Sequence, residues 1–243
     1  MAVNTDGSDK LSSVIIKEKD SEKEDELETD ILIIAAGITA ETRLAEQAGC
    51  TIGDSGGIKV DASSLTSKEN IYAVGDCTEY VEFVTGKQIP IGLGSIAVRQ
   101  GIAAGINAAG GNYELLKGVL QTATSEFFGV EIGSVGPSLC MREDIETITA
   151  KHSGSTKPEY FPGGLPITMK AIITADSGKI IGAQAVGENA AQRVNTYATA
   201  VLSELSIDTF KKLETAYAPP IAPTLDVVTL VADVASMKWH RKR

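Results

Sequence analysis

Cysteine and histidine are scarce in this chain. Cys50, Cys77 and Cys140 stand far apart with no CxxC pair, and His152 and His240 are the only histidines among 243 residues. That spacing offers no ligand set for a structural metal. Positive charge is short as well: 22 Lys and Arg face 32 Asp and Glu, a formal charge of -10. There is no basic footprint for nucleic acid or an anionic membrane, and the tail Lys238-Trp239-His240-Arg241-Lys242-Arg243 is too short to reverse the balance. No apolar run approaches the roughly 20 residues of a membrane-spanning helix, and no signal-peptide pattern is present. A reducing cytoplasm is therefore the expected compartment, and a small molecule or a protein the expected partner. Finally, no Gly-x-Gly-x-x-Gly follows a strand-like run; Gly105 to Gly111 falls where a helix ends rather than where one starts.

What is present reads as globular, with 43% apolar and 22% charged residues and length enough for one large or two modest domains. The most informative stretch is Thr66 to Asp76, TSKENIYAVGD. Ile71, Tyr72, Ala73 and Val74 suit a buried parallel strand that stops abruptly at Gly75 and Asp76. Glycine there allows close approach of a ligand to the backbone, and the Asp76 carboxylate at the strand's end can accept hydrogen bonds from the hydroxyls of a ribose or polyol. An ordinary buried strand closing in a Gly-Asp turn has the same sequence.

Before this stretch, a polar opening, Asn4-Thr5-Asp6-Gly7-Ser8-Asp9, leads through Val14-Ile15-Ile16 into the charge run Lys17 to Glu28, expected as a solvated loop. Ile31 to Gly37 is an unbroken apolar run suited to a strand buried on both faces, and Glu41 to Ala48 a short helix closed by Gly49. After it, Ile89-Pro90-Ile91-Gly92-Leu93-Gly94-Ser95 opens a helix running to about Asn107. Glycines inside that helix cost about 1 kcal/mol each relative to alanine. Close packing on a sheet or cofactor is the expected offset, and the helix start can aim free N–H groups at an electron-rich ring.

From about residue 115 the signals become antiparallel. Ile145, Thr147 and Thr149 alternate with Glu146 and Ile148, Ile167 to Ile173 reads as a strand, Ala175-Asp176-Ser177-Gly178-Lys179 as a hairpin turn, and Ile180 to Val186 as the return. Helices are predicted over Asn189 to Leu205 and over Pro223 to Met237, the second with proline in its first turn.

Thr66 followed by Ile71-Tyr72-Ala73-Val74-Gly75-Asp76 resembles the second flavin-contacting motif of the FAD-dependent pyridine nucleotide-disulfide oxidoreductases, and the resemblance extends from about residue 28 to 235. It implies an α/β remnant of a flavoprotein with two dinucleotide-binding domains, followed by an α+β dimerisation domain with helices on one face of an antiparallel sheet. Residues 1–38 would be the end of the NAD(P)H-binding domain, 39–114 the C-terminal part of the FAD-binding domain, and 115–243 the dimerisation domain. It implies FAD held in part by Gly75, Asp76, Gly92, Leu93, Gly94 and Ser95, NAD(P)H only in a complete enzyme, and a homodimer through residues 115–243. The chain then resembles the C-terminal half of such an enzyme, the other half being a separate chain or lost by truncation.

Tyr160, in Glu159-Tyr160-Phe161-Pro162, and Tyr217, in Ala216-Tyr217-Ala218-Pro219-Pro220, resemble the tyrosine pair of the NADH oxidase and CoA-disulfide reductase branch. There the pair would protonate or position a leaving thiolate in the partner's site. On the residues alone, Tyr160 can equally cap the core and Tyr217 anchor a stiff turn. Cys77, directly after Asp76, reads as a packed or idle thiol. Two further readings stand beside the enzyme: a non-enzymatic dimerisation or binding module, and a scaffold subunit of a split flavoenzyme.

Overall fold

A computed structural model describes residues 2–5, 10–17 and 23–242. Asp6 to Asp9 of the polar opening, residues 18–22 of the charge run and Arg243 of the basic tail lie outside the described residues. The chain forms two compact units, Met1–Thr39 and Ala40–Arg243.

In the first unit, β1 (Ala2–Thr5), β2 (Leu11–Lys17) and β3 (Glu24–Glu28) make an antiparallel sheet in that order. The end of the charge run is thus a strand, not a loop. Its Leu27 stands opposite the buried Val14 and its Glu26 hydrogen-bonds Ser13 from the opposing strand, while its acidic residues point to water, as suits a sheet edge. The apolar run that follows forms no strand: Ile31, Ile33 and Ile34 are 76%, 84% and 71% exposed. A doubly buried strand needs a hydrogen-bonded neighbour and cover on each face, and among the described residues none pairs with this run.

The second unit starts with α1 (Arg43–Gln47), closed as expected by Gly49 in the left-handed region. Three short strands follow, β4 (Ile58–Lys59), β5 (Thr78–Val81) and β6 (Gln88–Pro90), with β4 parallel and β6 antiparallel to the central β5. Val60, Tyr80, Ile89, Ile91 and Val119 form their small core. Next comes α2 (Gly94–Ala108), whose buried residues are Gln100 and Ala103. Of the two offsets expected for its glycines, packing on this chain's own sheet does not surround them: Gly101 and Gly105 face open space and Val98 and Ile102 are 65% and 49% exposed.

The main core belongs to β7 (Ala123–Phe127), β8 (Val130–Val135), β9 (Thr147–Ser155), β10 (Pro166–Thr174) and β11 (Ile180–Gly187), antiparallel in the order β7-β8-β11-β10-β9. Side chains alternate between the two faces. Met169, Ala171 and Ile173 of β10 join Ala183 and Ala185 of β11 under α3 (Ala190–Leu202) and α5 (Val227–Lys242), with α4 (Ile207–Phe210) against α5. Lys170, Gln184 and Ser134 take the opposite face, in cross-strand register with one another. The structure is therefore a mixed α/β fold with an antiparallel sheet and helices on it.

Two boundaries moved. The last helix begins at Val227, four residues after Pro223, because Asp226 caps it: its Oδ1 accepts the Val228 N–H at 3.0 Å. It also runs through most of the basic tail, since Trp239 is buried and donates its indole N–H to the Ala175 carbonyl at 2.9 Å. That ring packs on Gly178 so closely that a Cβ there would lie 2.8 Å from it. No helix among the described residues is long and apolar enough to cross a membrane.

Candidate functional site

The Gly75–Asp76 turn is built differently from the strand end expected of it. Ile71 to Val74 is extended, but it pairs only locally: Tyr72 bridges Leu65, and Ala73 N–H donates to the Ser64 carbonyl at 3.2 Å. Ile71 and Val74 are 36% and 39% exposed. A short 3-10 turn, Gly75 to Cys77, then leads into β5.

Gln100 holds that turn. Wholly buried on α2, it accepts the Gly75 N–H on Oε1 at 2.7 Å and donates Nε2 to Thr78 Oγ1 at 3.1 Å, while the Thr78 hydroxyl donates to the Gly75 carbonyl at 2.7 Å. Gly75 has φ +81°, and a Cβ there would stand 3.3 Å from the Ala97 Cβ. Both facts call for glycine. Gln100 escaped the sequence reading because an amide in a helix signals nothing by spacing; its only hint is being polar on the face that carries Ala103.

Pinned in this way, Asp76 turns its carboxylate outward. It is exposed and accepts no hydrogen bond from any described residue. Gly92 lies across from it, where a Cβ would come within 3.8 Å of Oδ1, so any side chain at 92 would narrow the space. Leu93 caps α2 without a side-chain acceptor, which leaves the helix's first N–H groups available. Of the four residues at this helix start, Gly92 and Leu93 line one cavity, Ser95 lines another, and Gly94 faces open space.

Tyr160 and Tyr217 form a second centre. Their hydroxyls are 2.9 Å apart, and both rings are accessible, at 72% and 48% exposure. The hydrogen bond between the two hydroxyls raises the Tyr160 pKa above the usual phenol value. The cysteines stand apart. Cys50 is buried against Thr66, Cys77 donates weakly to the Val74 carbonyl, and Cys140 is exposed beside Ser138. Among the described residues no group of three or more His, Cys, Asp or Glu could hold a metal ion.

Comparison with known proteins identifies the family. A family profile described as pyridine nucleotide-disulphide oxidoreductase matches residues 1–101, and one described as the dimerisation domain of the same family matches residues 122–228. The chain belongs to the pyridine nucleotide-disulphide oxidoreductase family. It is 35% identical over 211 residues to a CoA-dependent NAD(P)H sulfur oxidoreductase of Pyrococcus furiosus, covering 86% of this chain and 48% of that one. To an NADH oxidase of Methanocaldococcus jannaschii it is 35% identical over 218 residues, covering 88% and 48%. The solved NAD-dependent persulfide reductase of A. fulgidus superposes with a TM-score of 0.84 at 37% identity, over 89% of this chain and 40% of that chain. The chain spans about half the length of the curated relatives it matches. This pyridine nucleotide-disulphide oxidoreductase chain thus resembles, over most of its length, oxidoreductases whose names specify nicotinamide cofactors and sulfur or NADH substrates.

Proposed function

We propose that this chain forms one wall of an FAD site and the dimerising sheet of an NAD(P)H oxidoreductase of the CoA-disulfide reductase and NADH oxidase type. The observation that carries the reading is the outward, unpartnered Asp76 carboxylate set beside Gly92 and the uncapped start of α2. The residues fit the group. A carboxylate free of internal partners can accept two hydroxyls of the ribityl chain, and open helix N–H groups complement an electron-rich ring edge. Gly75, Gly92, Leu93, Gly94 and Ser95 would line that edge. Bound there, FAD would accept hydride from the nicotinamide.

The rest is the work of this chain's own residues. Gln100 holds the turn so that Asp76 points out rather than in. Tyr160 and Tyr217 are hydrogen-bonded to each other at the surface, where a phenol can donate to a thiolate leaving a disulfide or persulfide. Homodimerisation through residues 115–243 would bring that pair to the partner's site. No Gly-x-Gly-x-x-Gly occurs after a strand in the 243 residues, so the pyrophosphate cradle would come from another stretch of polypeptide.

The test is to mix the purified chain with FAD alone, and again with a polypeptide carrying a Gly-x-Gly-x-x-Gly half and a reactive cysteine from the same genome. The mixture with both should turn yellow at one flavin per chain, and Asp76→Ala should release the flavin. A stoichiometric yellow complex from the chain alone would overturn the shared site, and full flavin retention by Asp76→Ala would overturn the assignment of Asp76.

A further inference from the structure

A cavity of about 490 Å³ lies between the corner joining β6 to α2 and the face of the large sheet that looks away from α3 and α5. That is a volume suited to a small molecule. Its polar lining consists of Arg142 and Lys170 with Gln121, Gln184, Ser134 and Ser138, and no carboxylate. In a chain of net charge -10 this local excess of cations runs against the whole.

Arg142 is 7% exposed. Its Nη1 donates to Thr147 Oγ1 at 3.0 Å, its Nε is buried with no acceptor, and no described carboxylate pairs with it. A guanidinium taken out of water needs an anion or a full set of acceptors. The sheet adds a second, independent sign. Lys170 stands directly across from Gln184 on one side and from Lys151 on the other, so two like charges face each other on one surface. Such a pair is destabilising without a counter-charge between or above it, and neither lysine is ion-paired with a described residue. The chain is led over this row by Gly136, whose positive φ and contact with the Ile181 carbonyl leave no room for a Cβ.

We infer that this cavity binds a small molecule through an oxyanion group, phosphate or carboxylate, held by Arg142 and Lys170. The guanidinium fork fixes two oxygens in a plane and the ammonium supplies a point charge. Gly92 and Leu93 form part of the wall, but the inference needs no flavin and its test contains none.

The full chain is titrated calorimetrically with inorganic pyrophosphate and, separately, with citrate, at fixed ionic strength. Saturable binding of at least one anion is expected, weakened tenfold or more in Lys170→Gln and in Arg142→Gln. Lys87→Gln, which removes an exposed lysine paired with Asp144 outside the cavity, should leave it unchanged. Tighter pyrophosphate binding identifies a phosphate ligand and tighter citrate binding a carboxylate, each supporting the site. No saturable heat from either anion overturns the inference, as does full affinity in Lys170→Gln. Should Arg142→Gln fail to fold by circular dichroism, the partly exposed Lys170 decides alone.

Discussion

Tyr160 and Tyr217, separated by 57 residues of sequence, are bound to each other hydroxyl to hydroxyl. In the assembled enzyme, Tyr160→Phe and Tyr217→Phe should each lower turnover of a disulfide or persulfide substrate by about a hundredfold. On the proposed role, in which the two phenols act as a unit, the double variant should be little worse than either single one. Circular dichroism should be unchanged, both rings being exposed. Steady-state rates for the three variants check this, and unaltered turnover in both single variants would remove the pair from the mechanism.

Gln100 makes the second prediction. Gln100→Leu keeps the volume but leaves the buried Gly75 N–H without its acceptor, which should cost about 1–3 kcal/mol. The shift in the urea midpoint measures it. Gly75→Ala should destabilise too, through its positive φ and the nearby Ala97 methyl, by about 1–3 kcal/mol.

Acid stability turns on Asp208. Its carboxylate accepts the Ser236 hydroxyl at 2.6 Å and is approached by His240 at 2.8 Å and Lys211 at 3.2 Å. The Ser236 hydrogen bond chiefly, with smaller help from His240 and Lys211, lowers its pKa from 3.8 to about 2. A carboxylate depressed on folding contributes stability that is complete above its unfolded pKa and disappears as pH falls through the folded one. The gap in urea midpoint between the native chain and Asp208→Asn should therefore be constant from pH 7 to about pH 4 and close as pH approaches 2. A gap that stays constant down to pH 2 would show the carboxylate's charge to be irrelevant.

Asp226 joins two elements at once. It pairs with Arg193 of α3 through contacts of 2.9 and 2.7 Å, both side chains nearly buried, while capping α5. Asp226→Ala strands a buried guanidinium and removes the cap, so a loss of about 3–5 kcal/mol is expected. Asp226→Asn should recover the part due to capping, as thermal melts of the two variants will show.

The large sheet and its helices were legible because their signals are local. Strand-like runs mark β10 and β11, a Gly-containing turn joins them, and apolar positions at helical spacing mark α3. Hydrophobicity misled where it was read without neighbours: among the described residues Ile31 to Gly37 pairs with no strand, and Ile71 to Val74 makes only local bridges. Pro223 drew the predicted start of the last helix forward of Asp226, whose side chain caps it. At the candidate site, Asp76 and the start of α2 were singled out from linear sequence, whereas Gln100 and Arg142 depend on what lies across from them in space, and a linear pattern carries no trace of that.

Trp239 is the sole tryptophan in the chain, and it is wedged between α5 and the hairpin at Gly178. The protein's indole emission consequently has one source. A red shift would report the lifting of the C-terminal helix from that hairpin specifically, giving an optical readout of this seam without any added label.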